Sequence, residues 1–174
     1  SADRYFPSFM EFFITIFIIT LGVVVYKFAV TKMPILYEHP EYKEAIEAFY
    51  GRFLEMIDSV HQENVSLALK LKQKGYPIYL LSNFPGDQFE KYRLQNSFLD
   101  EFDDRIISGD VGLAKPDIKI YQLAIKKFNL NPEESLFIDD KIENTKGAEQ
   151  LGIKTIQLQK PEDLDKEIRK FIDL

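Results

Sequence analysis

The stretch Leu136-Phe137-Ile138-Asp139-Asp140 constrains this chain most, because an apolar run stops abruptly at two adjacent carboxylates and gives way to Asn144, Gly147 and Leu151-Gly152. A short run of β-formers that ends in charge and passes at once into a helical pattern reads as a buried parallel strand. Open α/β sheets place their ligands at the carboxyl ends of such strands. Two acids on that edge suggest a divalent cation.

Elsewhere strands and helices alternate. Ile78-Tyr79-Leu80-Leu81 reads as a strand that stops at Ser82-Asn83, followed by a helix over about Asp87 to Gln95. Arg105-Ile106-Ile107 is a short strand, Gly109 to Gly112 a loop, and Asp117 to about Phe128 a helix. Asn131-Pro132-Glu133-Glu134 is turn chemistry that introduces the Leu136 strand. A helix from about Glu143 to Gln150 ends at Gly152, Lys154 to Leu158 is the next strand, and Pro161 opens a final helix. Such alternation means right-handed βαβ units and a parallel sheet covered on both faces.

Upstream, Ala45, Phe49, Phe53 and Met56-Ile57 form one helical stripe, and a second helix from Val65 ends at Lys74-Gly75. Before Glu38-His39-Pro40 the character changes. Phe12 to Val30 is apolar or hydroxylic except for Lys27, and at about 1.5 Å per residue it would reach roughly across a bilayer's hydrocarbon core. Tyr5, Phe6, Phe9 and Tyr26 flank it as interfacial aromatics would. Lys27 and Lys32 lie on its C-terminal side, so the expected single span anchors residues 12–30 and leaves the α/β part in the cytoplasm. The alternative is that Ile14 to Val25 is a fully buried strand or two in a sheet. Tyr5 through Leu36 also weakly resembles the last transmembrane helix of the polysulphide-reductase (NrfD-like) membrane subunits.

Composition narrows the function. A net charge of −6 offers no basic footprint for nucleic acid. The absence of Cys excludes disulfides, thiolate metal sites and a Cys nucleophile, and only His39 and His61 could supply imidazole.

Three features fall at successive strand ends. Ser82 and Asn83 offer a hydroxyl, an amide and backbone N–H groups to an anion, or else form an ordinary turn. Lys115 lies in Gly112-Leu113-Ala114-Lys115-Pro116-Asp117, between glycine freedom and proline rigidity, where a lone lysine is otherwise solvated. Asp139 and Asp140 could hold Mg²⁺, or favour the N-terminus of the following helix. Together they make one phosphoryl-binding pocket.

Leu80-Leu81-Ser82-Asn83, then Gly112 to Asp117 with Ile120-Tyr121, then Phe137-Ile138-Asp139-Asp140 with Asn144 and Gly147-Ala148, resemble motifs II, III and IV of the haloacid dehalogenase superfamily, most of all its sugar-phosphate phosphatases with a helical cap. The resemblance implies an α/β, Rossmann-like core at residues 76–174 with a cap remnant at 37–75; the hydrophobic segment at 1–36, expected from its hydropathy to be a transmembrane helix, leaves the family's first strand missing or degenerate. It also implies Mg²⁺ as cofactor and a small phosphorylated metabolite as substrate. That family attacks the phosphoryl group with an Asp nucleophile and hydrolyses the resulting aspartyl-phosphate. Carried over, Ser82, the Asn83 backbone and Lys115 would hold the phosphoryl group, Asp140 and Asp139 would serve the metal, and Asn144 would support them.

One departure stands out. The family's first motif ends a strand in Asp, yet Asp3 is the only Asp in residues 1–40 and no apolar run precedes it. Aligning Ile18 to Val24 with that motif puts Thr20 in the nucleophile's place, and a Thr hydroxyl cannot become an acyl-phosphate. The sequence therefore predicts a phosphatase domain that is inactive alone, the alternative being a membrane-tethered, phosphate-binding pseudoenzyme or fusion remnant.

Overall fold

Strands with apolar residues on both faces need cover on both faces, and the described residues build that cover. The computed structural model describes residues 13–15, 44, 51–57 and 60–173. Within them β1 (Phe13–Thr15), β2 (Ile78–Ser82), β3 (Asp104–Ile107), β4 (Ser135–Asp139) and β5 (Lys154–Gln157) form one sheet in the order β3-β2-β1-β4-β5. All four pairings are parallel, with Ile14 beside both Ile78 and Leu136, and Ser82 beside Ile107.

Side chains of a strand alternate between its faces, and β4 shows the consequence. Leu136 and Ile138 pack with Leu67, Ala68 and Leu71 of α1 (Gln62–Gln73) and with Leu164 and Ile168 of α6 (Leu164–Ile168). Phe137 points the other way, toward Ile120, Tyr121 and Ala124 of α4 (Ile118–Phe128) and Ala148 of α5 (Ile142–Glu149). Leu71, Ile78, Ile120 and Ile168 are fully buried, and truncating a side chain of this kind to Ala costs about 2–5 kcal/mol. A third cluster joins Phe53, Leu80, Phe84, Leu99 and Ile107 with Phe89 and Tyr92 of α2 (Gly86–Gln95).

Helix ends follow local chemistry. Asp117 caps α4 by accepting a hydrogen bond from the Lys119 N–H at 2.9 Å, and Asn129 ends that helix in the left-handed region at φ 52°. The helix α1 ends at Gly75, whose φ of 92° suits glycine, and the Tyr76 N–H returns to the Leu71 carbonyl.

Two expectations change. Phe13–Thr15 is a strand at the centre of the sheet, not part of a membrane helix, and it takes the position of the strand expected to be missing or degenerate. No helix among the described residues is long and apolar enough to cross a membrane. Hydropathy misleads here because a central parallel strand, covered on both faces, is as apolar as a span. The remainder of residues 12–30, and nearly all of the NrfD-like segment, lie outside the described residues. The second change concerns residues 37–75: α1, assigned to the cap remnant, packs against the sheet and leads directly into β2.

Candidate functional site

Parallel strands end on the same edge, so β2 and β4, on either side of β1, deliver Ser82 and Asp139 to one rim of the sheet. Both side chains are buried. Asn83, one residue beyond β2, grips the backbone of the loop that carries Lys115: its Nδ2 donates to the Lys115 carbonyl and its Oδ1 accepts from the Lys115 N–H, each at 2.9 Å. This two-pronged bond brings the loop to the strand end.

From there Lys115 turns inward. Its Nζ donates to the Leu81 carbonyl at 2.9 Å and to Asp139 Oδ2 at 2.8 Å, and lies 5.8 Å from the centre of the Phe137 ring. The side chains of Lys115 and Asp139 are only 6% and 3% exposed, so this ion pair is shielded from water. Burial pushes the Lys115 ammonium down to about 8, while the charge and hydrogen bond of Asp139 resist that fall. Asp139 is fully engaged in turn, since Oδ1 accepts from the Lys141 N–H and from Asn144 Nδ2, both at 2.9 Å.

The structure thus gathers Ser82, Asn83, Lys115, Asp139 and Asn144 at one edge, with Asp140 exposed beside them. Thr20 and His39 lie outside the described residues. His61 stands at the start of α1, whose Asn64 donates to the Pro161 carbonyl at 3.0 Å.

Some contributors carried no assigned role in the sequence. Ser108, the first residue of the short helix α3 (Ser108–Val111), accepts from the Phe84 N–H at 2.9 Å, and the Gly109 N–H donates to the Phe84 carbonyl at 3.0 Å. A Cβ on Gly109 would stand 2.5 Å from the Gly86 nitrogen, so only glycine lets the Ser82–Gly86 loop lie this close. The Ser-Gly pair directly after the β3 run was the available signal. Tyr121 is the other contributor, through a hydroxyl that donates to the Asn144 carbonyl at 2.8 Å.

A family model described as haloacid dehalogenase-like hydrolase matches residues 22–152, three quarters of the chain. The chain belongs to this family. Among curated relatives of this haloacid dehalogenase-like chain, a sesquiterpene phosphatase of Aspergillus oryzae is 32% identical over 53% of this chain and 47% of its own length. A glyceraldehyde 3-phosphate phosphatase of Pyrococcus furiosus is 34% identical over 60% of this chain and 45% of its own. The chain therefore spans about half the length of these relatives. A haloacid dehalogenase family enzyme of Bacteroides thetaiotaomicron, crystallised with magnesium and inorganic phosphate, superposes with a TM-score of 0.62 at 24% identity, covering 78% of this chain and 75% of that one. That likeness speaks for the fold.

Proposed function

We propose that this haloacid dehalogenase-like domain binds a phosphomonoester at the rim formed by Ser82, Asn83 and Lys115, and that it lacks the nucleophile for covalent phosphoryl transfer. The observation that carries the reading is the buried Lys115 amine, held between Leu81 and Asp139 one residue from Ser82. A cation fixed in a dry site is a strong partner for phosphoryl oxygens. The Ser82 hydroxyl and the Asn83 backbone would orient those oxygens, while Asp139 serves as counter-ion to Lys115.

Mg²⁺ fits the donor set in a restricted way. Among the described residues no group of three His, Cys, Asp or Glu side chains could hold a metal, and both oxygens of Asp139 are engaged. Asp140 is the exposed carboxylate at the rim, and magnesium is commonly held by one or two carboxylates, substrate phosphate and water. Asp140 would hold the ion, which when bound would neutralise charge on the phosphoryl group.

The missing nucleophile rests on sequence beside structure. Thr15 ends β1, and the residues that follow in the chain, Ile16-Phe17-Ile18-Ile19-Thr20, include no carboxylate. The substrate class is a small phosphorylated metabolite, as the names of the two phosphatase relatives suggest.

The test pairs a metal-dependent assay on an aryl phosphate with calorimetry using inorganic phosphate and Mg²⁺. Binding without turnover is expected. Hydrolysis that Lys115→Ala abolishes would overturn the missing nucleophile, and absence of phosphate binding would overturn the site. Thr20→Asp is the companion variant, in which recovered hydrolysis would identify the vacant position.

A further inference from the structure

We infer that Tyr121 is a positioning residue, which sets the aim of Lys115 through Asn144 and Asp139; the inference rests on the phosphate-binding reading of the rim. Tyr121 is almost wholly buried and belongs to α4, the helix that begins where the Lys115 loop ends. Its hydroxyl reaches across to α5 and donates to the Asn144 carbonyl at 2.8 Å. Its ring meets Phe137 edge-on with centroids 5.5 Å apart.

The third contact is with Gly147, one turn after Asn144 on α5. A Cβ there would stand 2.7 Å from Tyr121 Cε2 and 3.0 Å from the Pro116 carbonyl oxygen, so the missing side chain is what admits the ring. Ring against Gly147 and hydroxyl on Asn144 together key α5 to α4. Burial raises the phenol further above its ordinary value, so it remains a donor wherever the protein is folded.

The consequence runs through the Asn144 side chain. Its Nδ2 must face the carboxylate, and it donates to Asp139 Oδ1 at 2.9 Å. The amide oxygen then turns away and, although buried, meets no donor among the described residues. With one end of the amide unsupported, its direction depends on where the Asn144 backbone sits, and the Tyr121 hydroxyl bonds that backbone directly. Asp139 is therefore clamped from two sides by one short segment: Lys115 bonds Oδ2 directly, and Tyr121, six residues later, governs the group on Oδ1. Groups that orient a charged side chain in this way commonly matter to a site nearly as much as the side chain itself.

Tyr121→Phe keeps the ring against Gly147 and Phe137 and removes only the donor. In the full chain, calorimetry with inorganic phosphate and Mg²⁺ should show a Kd raised about tenfold. The ε-methylene resonance of Lys115 should move in the same variant. Adding Tyr121→Phe to Asn144→Ala should weaken binding no further than Asn144→Ala alone, because both act through one chain of contacts. A purely structural tyrosine would lower the melting temperature yet leave the Kd and the Lys115 resonance unchanged, and that outcome overturns the inference. Should the unsubstituted protein bind no phosphate, the proposed function falls by itself, and the Lys115 resonance alone then decides the role of Tyr121.

Discussion

Lys115 Nζ sits 2.8 Å from Asp139 Oδ2, the lysine reaching that point from the loop between α3 and α4 and the aspartate from the end of β4. Neither side chain has appreciable contact with water. An ion pair of this kind is costly to desolvate and more costly to leave half-made.

Replacing one partner should therefore cost more than replacing both. Lys115→Met strands the Asp139 carboxylate in the interior and should lower stability by about 3–5 kcal/mol, whereas Lys115→Met with Asp139→Leu should lose markedly less. Urea denaturation of the three proteins measures the difference. A single substitution no more costly than the double would show that the pair is not buried in solution.

The pH dependence should have an unusual sign. Lys115 in the fold releases its proton near 8, against 10.5 for an unperturbed lysine. Below about pH 8 both folded and unfolded chains hold the proton, and this group adds no slope. Between about 8 and 10.5 the unfolded chain holds a proton that the folded chain has shed, so stability contributed by this group rises with pH. Urea midpoints of the parent and Lys115→Met across that window should differ in slope accordingly. Phosphate affinity should run the other way, weakening as pH rises through about 8.

The close approach of the loop after β2 to α3 should be intolerant of a methyl group. Gly109→Ala brings a Cβ within 3.0 Å of three backbone atoms, Gly86 N, Phe84 O and Pro85 Cα, none of which can rotate away. Overpacking of this sort typically costs about 1–3 kcal/mol, and here it should also weaken phosphate binding by displacing Ser82 and Asn83. Ser108→Ala should act on the same loop through the buried Phe84 N–H, which loses its acceptor at a cost of about 1–3 kcal/mol. Thermal unfolding with and without phosphate checks both.

Magnesium should strengthen phosphate binding through Asp140. Asp140→Asn should abolish that gain, because Asp140 is the exposed carboxylate beside the Lys115–Asp139 pair. Chelator titration of the phosphate complex reads the effect. Unchanged magnesium dependence in the variant would assign the metal to other groups.

Much was legible in the sequence because it is local. The period and length of apolar runs placed β2 to β5 and the longer helices between them within a residue or two, though α3 forms where a loop was expected from Gly109 to Gly112, and three strand-end motifs named Ser82, Asn83, Lys115, Asp139 and Asn144, which the fold gathers. Phe13–Thr15, inside the stretch expected to span a membrane, is a strand, because hydropathy records only that a segment avoids water, and a strand at the centre of a parallel sheet avoids it as thoroughly as a lipid-bound helix does. Residues 13–15 became a strand only once β2 and β4 were there to bond them on both sides. Tertiary structure alone also decided that Asp139, the last residue of β4, faces Lys115 while Asp140, one residue beyond the strand, is exposed. The parts of Tyr121, Ser108 and Gly109 were decided the same way: each is a contact between segments distant in sequence, and no local pattern encodes what will lie across from it.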